Sequence, residues 1–285
     1  MSIPGRAHGW NGGQGVTSRQ ALCKPDPPWE LTAIALQSGS RGNCIYVETA
    51  CTAVLIDAGL PVSTVVRRLA EHGRAPGRIA AVVVSHDHGD HVRHAGAVQR
   101  KFGVPLFITE GSLRMARRRF PLGAMSDVEC FRPGATLTVG DLHIETVPTP
   151  HDGTQGVAFV VATGRRRIGI LTDLGHPFAE LGSVLGGLDG VFLESNHDES
   201  MLERGSYPAF LKRRVRGPHG HLSNREAAEL LGGHAGDRLC WACLAHLSGE
   251  NNDERIAVAT HREVLGGSLR LHVARRDSAI APLGV

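Results

Sequence analysis

From residue 31 onward, short apolar runs rich in β-branched residues alternate with polar turns. The stretches "CIYVET", "TAVLIDAG", "AAVVVS", "PLFIT", "ATLTV", "LHIETVP", "GVAFVVAT", "RIGILTD", "DGVFLES", "RLCWACLAH" and "SLRLHVA" each predict a strand. Helical periodicity falls between some of them, notably at 61–72, opened by Pro61, and at 92–102. Two further helices are predicted at 223–232 and 251–264 from their start signals. Ser223 with Glu226 forms an S-x-x-E capping box, and Asn251 with Glu254 has the same cap spacing. The first half runs mostly strand to strand and later segments interleave helices, a pattern that predicts two packed sheets flanked by helices. Residues 1–30 are rich in Gly, Pro and Ser without apolar period and read as a mobile N-terminal extension. The folded domain is then expected over 31–276, with 277–285 as a C-terminal tail.

Composition narrows the class. At 285 residues, 41% hydrophobic and 21% charged, the chain can bury a substantial core. Its formal charge of +3 is too small for a global basic field, so any attraction for nucleic acid has to come from local clusters. Arginine runs at 117–119 and 165–167 and "KRR" at 212–214 are such clusters, although each alone reads as a solvated face. No apolar run approaches the ~20 residues of a membrane span, and no secretion signal opens the chain, so a cytoplasmic protein without membrane contact is expected. The six scattered cysteines do not suggest a disulfide framework. In a strand, Cys240 and Cys243 point to opposite faces and read as buried thiols.

The stretch "AVVVSHDHGDH" changes the picture, because three histidines and two aspartates fall within 86–91, where a buried strand ends. His86 and His88 alternate as in extended chain and point the same way. Asp90 and His91 follow the turn near Gly89 and can face a second point in space. Two ligands for one metal and two for another result, and a dinuclear site needs more donors at other strand ends. His151 in "VPTPHDG", Asp173 in "IGILTDLG" and His246 in "WACLAHLS" meet that need.

This set resembles the metallo-β-lactamase fold, an αββα four-layer sandwich with two mixed sheets and a dinuclear site along one sheet edge. Within that fold, "SGSRGN" at 38–43, "LESNHD" at 193–198, "RGSYP" at 204–208, "GHLSN" at 220–224 and "LAHLSGENN" at 244–252 are similar to the YycJ (WalJ) group of nucleases. The resemblance implies one metal on His86, His88 and His151, a second on Asp90, His91 and His246, and Asp173 bridging both. Two divalent cations, two carboxylates and a bridging hydroxide leave a charge of about +1, which suits a phosphodiester. Zinc leads among the metals this nitrogen and oxygen set accepts, with manganese or iron as alternatives.

Asp90 and His221 are the expected catalytic residues, His221 standing two residues before the Ser223 cap, where it can protonate a leaving oxygen. Ser40, Asn43, Asn196, His197 and Arg213 are candidate substrate contacts. The implied function is a DNA exonuclease, 5′-to-3′ by resemblance. The alternatives are a small-molecule phosphodiesterase, a lactone or thioester hydrolase, or a non-catalytic metal-binding protein. Low aromatic content, 5%, leans towards a small substrate, and the arginine clusters lean towards a polymer.

Overall fold

In a computed structural model, which describes residues 29–267 and 269–285, the apolar runs pair into two seven-stranded sheets. The first contains β1 (Thr32–Gln37), β2 (Cys44–Glu48), β3 (Ala53–Ile56), β4 (Ile79–Val83), β5 (Leu106–Thr109) and β6 (Val128–Phe131). The second contains β7 (Thr136–Val139), β8 (Leu142–Pro148), β9 (Val157–Thr163), β10 (Arg166–Leu171), β11 (Gly190–Glu194), β12 (Trp241–Ala245) and β13 (Arg270–Val273). The chain then returns to lay β14 (Leu283–Gly284) beside β1. The orders are β14-β1-β2-β3-β4-β5-β6 and β13-β12-β11-β10-β9-β8-β7. In both sheets the pairs are antiparallel on one side and parallel on the other, β3 to β6 and β10 to β13 being the parallel sides.

Nine helices lie among the described residues: α1 (Val62–Glu71), α2 (Gly89–Val92), α3 (Ala95–Phe102), α4 (Glu110–Arg119), α5 (Ala179–Gly186), α6 (Glu199–Arg204), α7 (Ala209–Arg216), α8 (Asn224–His234) and α9 (Glu254–Leu265). Val54, Val83, Phe159, Ile170, Phe192 and Trp241 fill the space between the sheets. Val65, Leu69, Val98 and Ala116 cover the outer face of the first sheet, and Leu181, Leu185, Ala227 and Leu231 that of the second. Strands such as β3 and β11 are therefore buried at every position, which is why they read as unbroken apolar runs and not as alternation. The result is the expected αββα sandwich. Among the described residues, no helix is long and apolar enough to cross a membrane.

Local departures from the sequence expectations have physical causes. The helix expected at 92–102 is split: α2 is a single turn beginning at Gly89, and α3 starts at Ala95. The cap of α9 is Asp253, whose side chain accepts from the Arg255 amide, while Asn251 is buried upstream. Two strands escaped notice. β6 is an edge strand with Glu129 and Cys130 exposed, and β14 is only two residues long, although Leu283 and Val285 beside it are buried. Residues set apart as a tail thus close the first sheet. Cys243 is buried within β12, but Cys240 precedes the strand and is exposed. Of the extension assigned to 1–30, residues 1–28 lie outside the described residues.

The capping box of α8 forms as expected: the Glu226 amide donates to Ser223 Oγ at 3.2 Å and the Ser223 amide to Glu226 Oε2 at 2.8 Å. Ser223→Ala is expected to lower unfolding stability by about 1 kcal/mol in urea denaturation. No measurable change would show that the box is not holding the helix start.

Candidate metal centre

Strand register brings the polar residues together. Ile56 of β3 is level with Val83 of β4, so Asp57 leaves its strand beside Ser85 and His86. In the second sheet Leu171, Leu193 and Leu244 share one level. Asp173, Glu194 and His246 follow them within two residues, at the carboxyl ends of parallel strands, where open sheets place their ligand sites. Asp57, Asp173 and His246 have φ of 65°, 57° and 55°, left-handed conformations that non-glycine residues rarely adopt. The strained turn at each strand end directs its side chain inward. Gly59 permits the other close approach, since a Cβ there would lie 1.7 Å from the Asp90 carbonyl oxygen. That contact, with the Asn43 amide donating to the same carbonyl at 2.7 Å, seats α2 against the neighbouring loops.

Among the described residues, side-chain donors meet in four overlapping groups, one of which joins Asp173 to Glu194, His221 and His246. His86, His88 and His151 can offer atoms within 4.8 Å of one another, as can Asp90, His91 and His246. Asp173 lies between them: Oδ2 is 3.3 Å from His91 Nε2, and Oδ1 is 3.6 Å from His151 Nε2 and 3.5 Å from His246 Nδ1. Neither Asp173 oxygen has a hydrogen-bond partner although both are buried, and the same holds for His86 Nε2. Unbonded buried acceptors aimed at a common point, all of them imidazole nitrogens and carboxylate oxygens, fit divalent cations.

Electrostatics agree. Burial opposes a charge on His246, yet Asp173, Asp90 and Glu194 outweigh it and push its pKa up to about 10. Burial likewise disfavours ionised Asp173, but His246, His91 and His86 hold its carboxyl well below the usual range. Burial, then the neighbouring His91, pushes His86 well below the usual imidazole range, which keeps it in the neutral, ligating form. The cluster therefore favours positive charge at the Asp173 end and lone pairs at the His86 end.

A surrounding set of bonds fixes which nitrogen faces inward. His91 Nδ1 donates to Asp57 Oδ2 at 2.7 Å, and His151 Nδ1 to the Gly220 carbonyl at 2.7 Å, since both partners can only accept. Ser85 Oγ spends its proton on Asp57 Oδ1 at 2.8 Å and is left to accept from His86 Nδ1 at 2.9 Å. In each ring Nε2 faces the centre, that of His91 also lying 2.9 Å from Asn43 Nδ2. Fully buried Glu194 accepts from the amides of Asp173, Leu174 and Leu222 and from His221 Nδ1 at 2.8 Å. Asp57 and Glu194 escaped the sequence reading, although "VLIDAG" and "VFLES" repeat the pattern of an acid directly after an apolar run that marked Asp173.

A cleft of about 310 Å3 opens over the cluster, with Asp90, Asp173, His221 and His246 on its floor and Arg119 and Arg214 in its walls. Ser40 and Asn196 line it, and Asn196 Nδ2 also donates to the His246 carbonyl at 2.8 Å. Asn43 is turned inward and buried, with Nδ2 3.1 Å from Asp90 Oδ2, where it holds a ligand candidate. His197 lines a neighbouring cavity. Arg213 is exposed on α7, and it is the next residue, Arg214, that reaches the cleft and pairs with Asp152 at 2.7 Å. Arg119 pairs with Asp87 at 2.6 Å, which also binds the Thr154 amide, so this aspartate of the first motif ties loops together.

Such a cluster, on the strand ends of an αββα sandwich, defines a metal-dependent hydrolase of the metallo-β-lactamase fold. The β-lactamase superfamily domain matches residues 52–241. Over 227 residues the chain is 34% identical to the exodeoxyribonuclease WalJ of Streptococcus pneumoniae serotype 2, covering 79% of this chain and 84% of that one. It is 29% identical over 230 residues to the exodeoxyribonuclease YycJ of Bacillus anthracis, covering 81% and 87%. The crystal structure of the metallo-β-lactamase fold protein YhfI from Bacillus subtilis superposes with a TM-score of 0.68 at 16% identity, over 88% of this chain and 98% of that one. The chain belongs to the metallo-β-lactamase superfamily, in the group of WalJ and YycJ.

Adding zinc or manganese to chelator-treated protein is expected to raise its melting temperature, by the equivalent of about 2.7 kcal/mol at a hundred times the dissociation constant. Asp173→Ala should keep the fold and lose most of that shift. An equal shift in the variant would mean that metal binds elsewhere.

Proposed function

We propose that this protein is a DNA exonuclease that hydrolyses phosphodiester bonds at a dinuclear metal centre and digests DNA from the 5′ end. The observation that carries the reading is the Asp173 carboxylate, buried and unbonded between two groups of ligand candidates. The exodeoxyribonuclease names of the relatives supply the substrate, and the small cleft between two arginines suits the end of a strand. Two divalent ions, zinc or else manganese or iron, would be held by His86, His88 and His151 and by Asp90, His91 and His246, together with Asp173, and would supply Lewis acidity there.

The chain's own residues do the rest. Arg119 and Arg214 border the cleft and attract the backbone phosphates; Asp87 and Asp152 hold their guanidinium groups in place. Ser40 and Asn196 present polar groups to the bound strand end. His221 lines the cleft, and its Nδ1 faces Glu194, which leaves Nε2 to carry the proton for the departing oxygen. Burial opposes the charge on Glu194, but the His221 imidazole and its hydrogen bond keep the carboxyl below the usual range. The acid thus stays ionised and fixes the tautomer of the ring.

End-labelled single- and double-stranded DNA, RNA and bis(p-nitrophenyl) phosphate, each with zinc and then manganese, test the proposal. Stepwise shortening of DNA, abolished in Asp90→Ala, is expected. Turnover of the small diester alone would replace the nuclease reading with a small-molecule phosphodiesterase. His221→Ala is expected to lower kcat by about 10²–10⁴ with KM little changed, and Glu194→Gln to follow it in the same direction. A Glu194→Gln enzyme at full rate would remove that residue from the account.

A further inference from the structure

Beside the metal centre lies a second cavity, of about 440 Å3, lined by Arg93, His94, Ala97, Arg100, Phe120 and Leu122. Two features join it to the cleft. Arg119 lines the cleft and its chain neighbour Phe120 lines the cavity. Gly89, between the ligand candidates His88 and Asp90, touches both: a Cβ there would lie 2.9 Å from Arg93 Nη2 and 2.9 Å from Phe120 Cζ. The absence of a side chain at 89 leaves room for Arg93 to pack over the Phe120 ring, with Cζ 5.5 Å from its centroid, inside cation–π range.

Among the described residues no carboxylate pairs with Arg93 or Arg100. Arg100 Nη1 donates to the Leu122 and Ala124 carbonyls at 2.8 Å and 2.6 Å, which orients its guanidinium without neutralising it. Arg93 is exposed, and its ring contact likewise orders it without cancelling its charge. No acidic residue lines the cavity. Unlike the arginines at 119 and 214, which already hold carboxylates, these two are pre-positioned cations that lack an anion.

We infer that the Arg93–Phe120 cavity is a second nucleotide subsite: the strand whose end lies in the cleft continues over Gly89, sets a backbone phosphate on Arg93 and Arg100, and rests a base on the Phe120 edge of the cavity. The inference rests on the nuclease reading and adds where the polymer runs. An arginine lying on an aromatic ring beside an apolar wall serves both parts of a nucleotide, the anion and the π-face, irrespective of sequence. Contact here rewards length: a mononucleotide filling the cleft does not reach the cavity, whereas a longer strand does.

Binding of a labelled mononucleotide and of a labelled single strand of about 16 nucleotides with hydrolysis-resistant phosphorothioate linkages, measured by fluorescence anisotropy on the metal-loaded protein, tests this. Arg93→Glu, an exposed change, is expected to weaken the longer strand about tenfold and leave the mononucleotide within about twofold, with the slope of log K against log salt reduced by about 1. Phe120→Leu, which keeps the apolar packing, should weaken the longer strand in the same selective way. Longer-strand affinity within about twofold of wild type in both variants, or equal losses for both ligands, overturns the subsite. If wild-type protein digests DNA and Arg93→Glu makes no difference, the subsite alone is wrong. If wild type neither binds nor digests any strand but turns over bis(p-nitrophenyl) phosphate, the nuclease reading is wrong and the subsite falls with it.

Discussion

Burying negative charge at the strand ends is the constraint on which the rest of this structure depends. Asp57, Asp173 and Glu194 are almost completely shielded from water, and an isolated carboxylate in such surroundings costs several kcal/mol. Each is compensated differently. Asp57 is matched to His91 and to the Ser85 amide and hydroxyl. Glu194 has three backbone amides and His221. Asp173 has imidazoles nearby but no hydrogen bond on either oxygen. It is the carboxylate whose environment most clearly calls for cations.

The fold makes this arrangement possible because both sheets present the carboxyl ends of parallel strands along one edge. Strands buried on both faces leave no freedom of register, since slipping by one residue would exchange the inner and outer packing of every side chain. Register then transmits directly to chemistry. The shared level of Leu171, Leu193 and Leu244 sets where Asp173, Glu194 and His246 emerge, and the left-handed backbone at Asp57, Asp173 and His246 is held by the sheets behind it. The loops of the first sheet supply the complementary half through His86 to His91, pinned by Gly59 against the Asp90 carbonyl.

How much of this the sequence revealed follows from the type of signal. Doubly buried strands announce themselves as apolar runs, so the sandwich was legible, and so was the dense H-x-H-x-D-H motif. Edge strand β6 and the two-residue β14 carry too few apolar positions to register. Asn251 matched a cap pattern, but Asp253 lay closer to the helix start and took that role. Asp57 and Glu194 look like ordinary strand-end acids in one dimension; only the folded chain shows that they orient His91 and His221. Asn43 turns inward to Asp90 and Arg213 outward on α7, because which face of a turn or helix meets the cleft is decided by packing and not by residue type.

Anomalous diffraction from crystals grown with zinc, and separately with manganese, examines the central claim most directly. The account predicts two peaks, one among His86, His88 and His151 and one among Asp90, His91 and His246, with Asp173 touching both. A single peak, or metal bound away from Asp173, would contradict it.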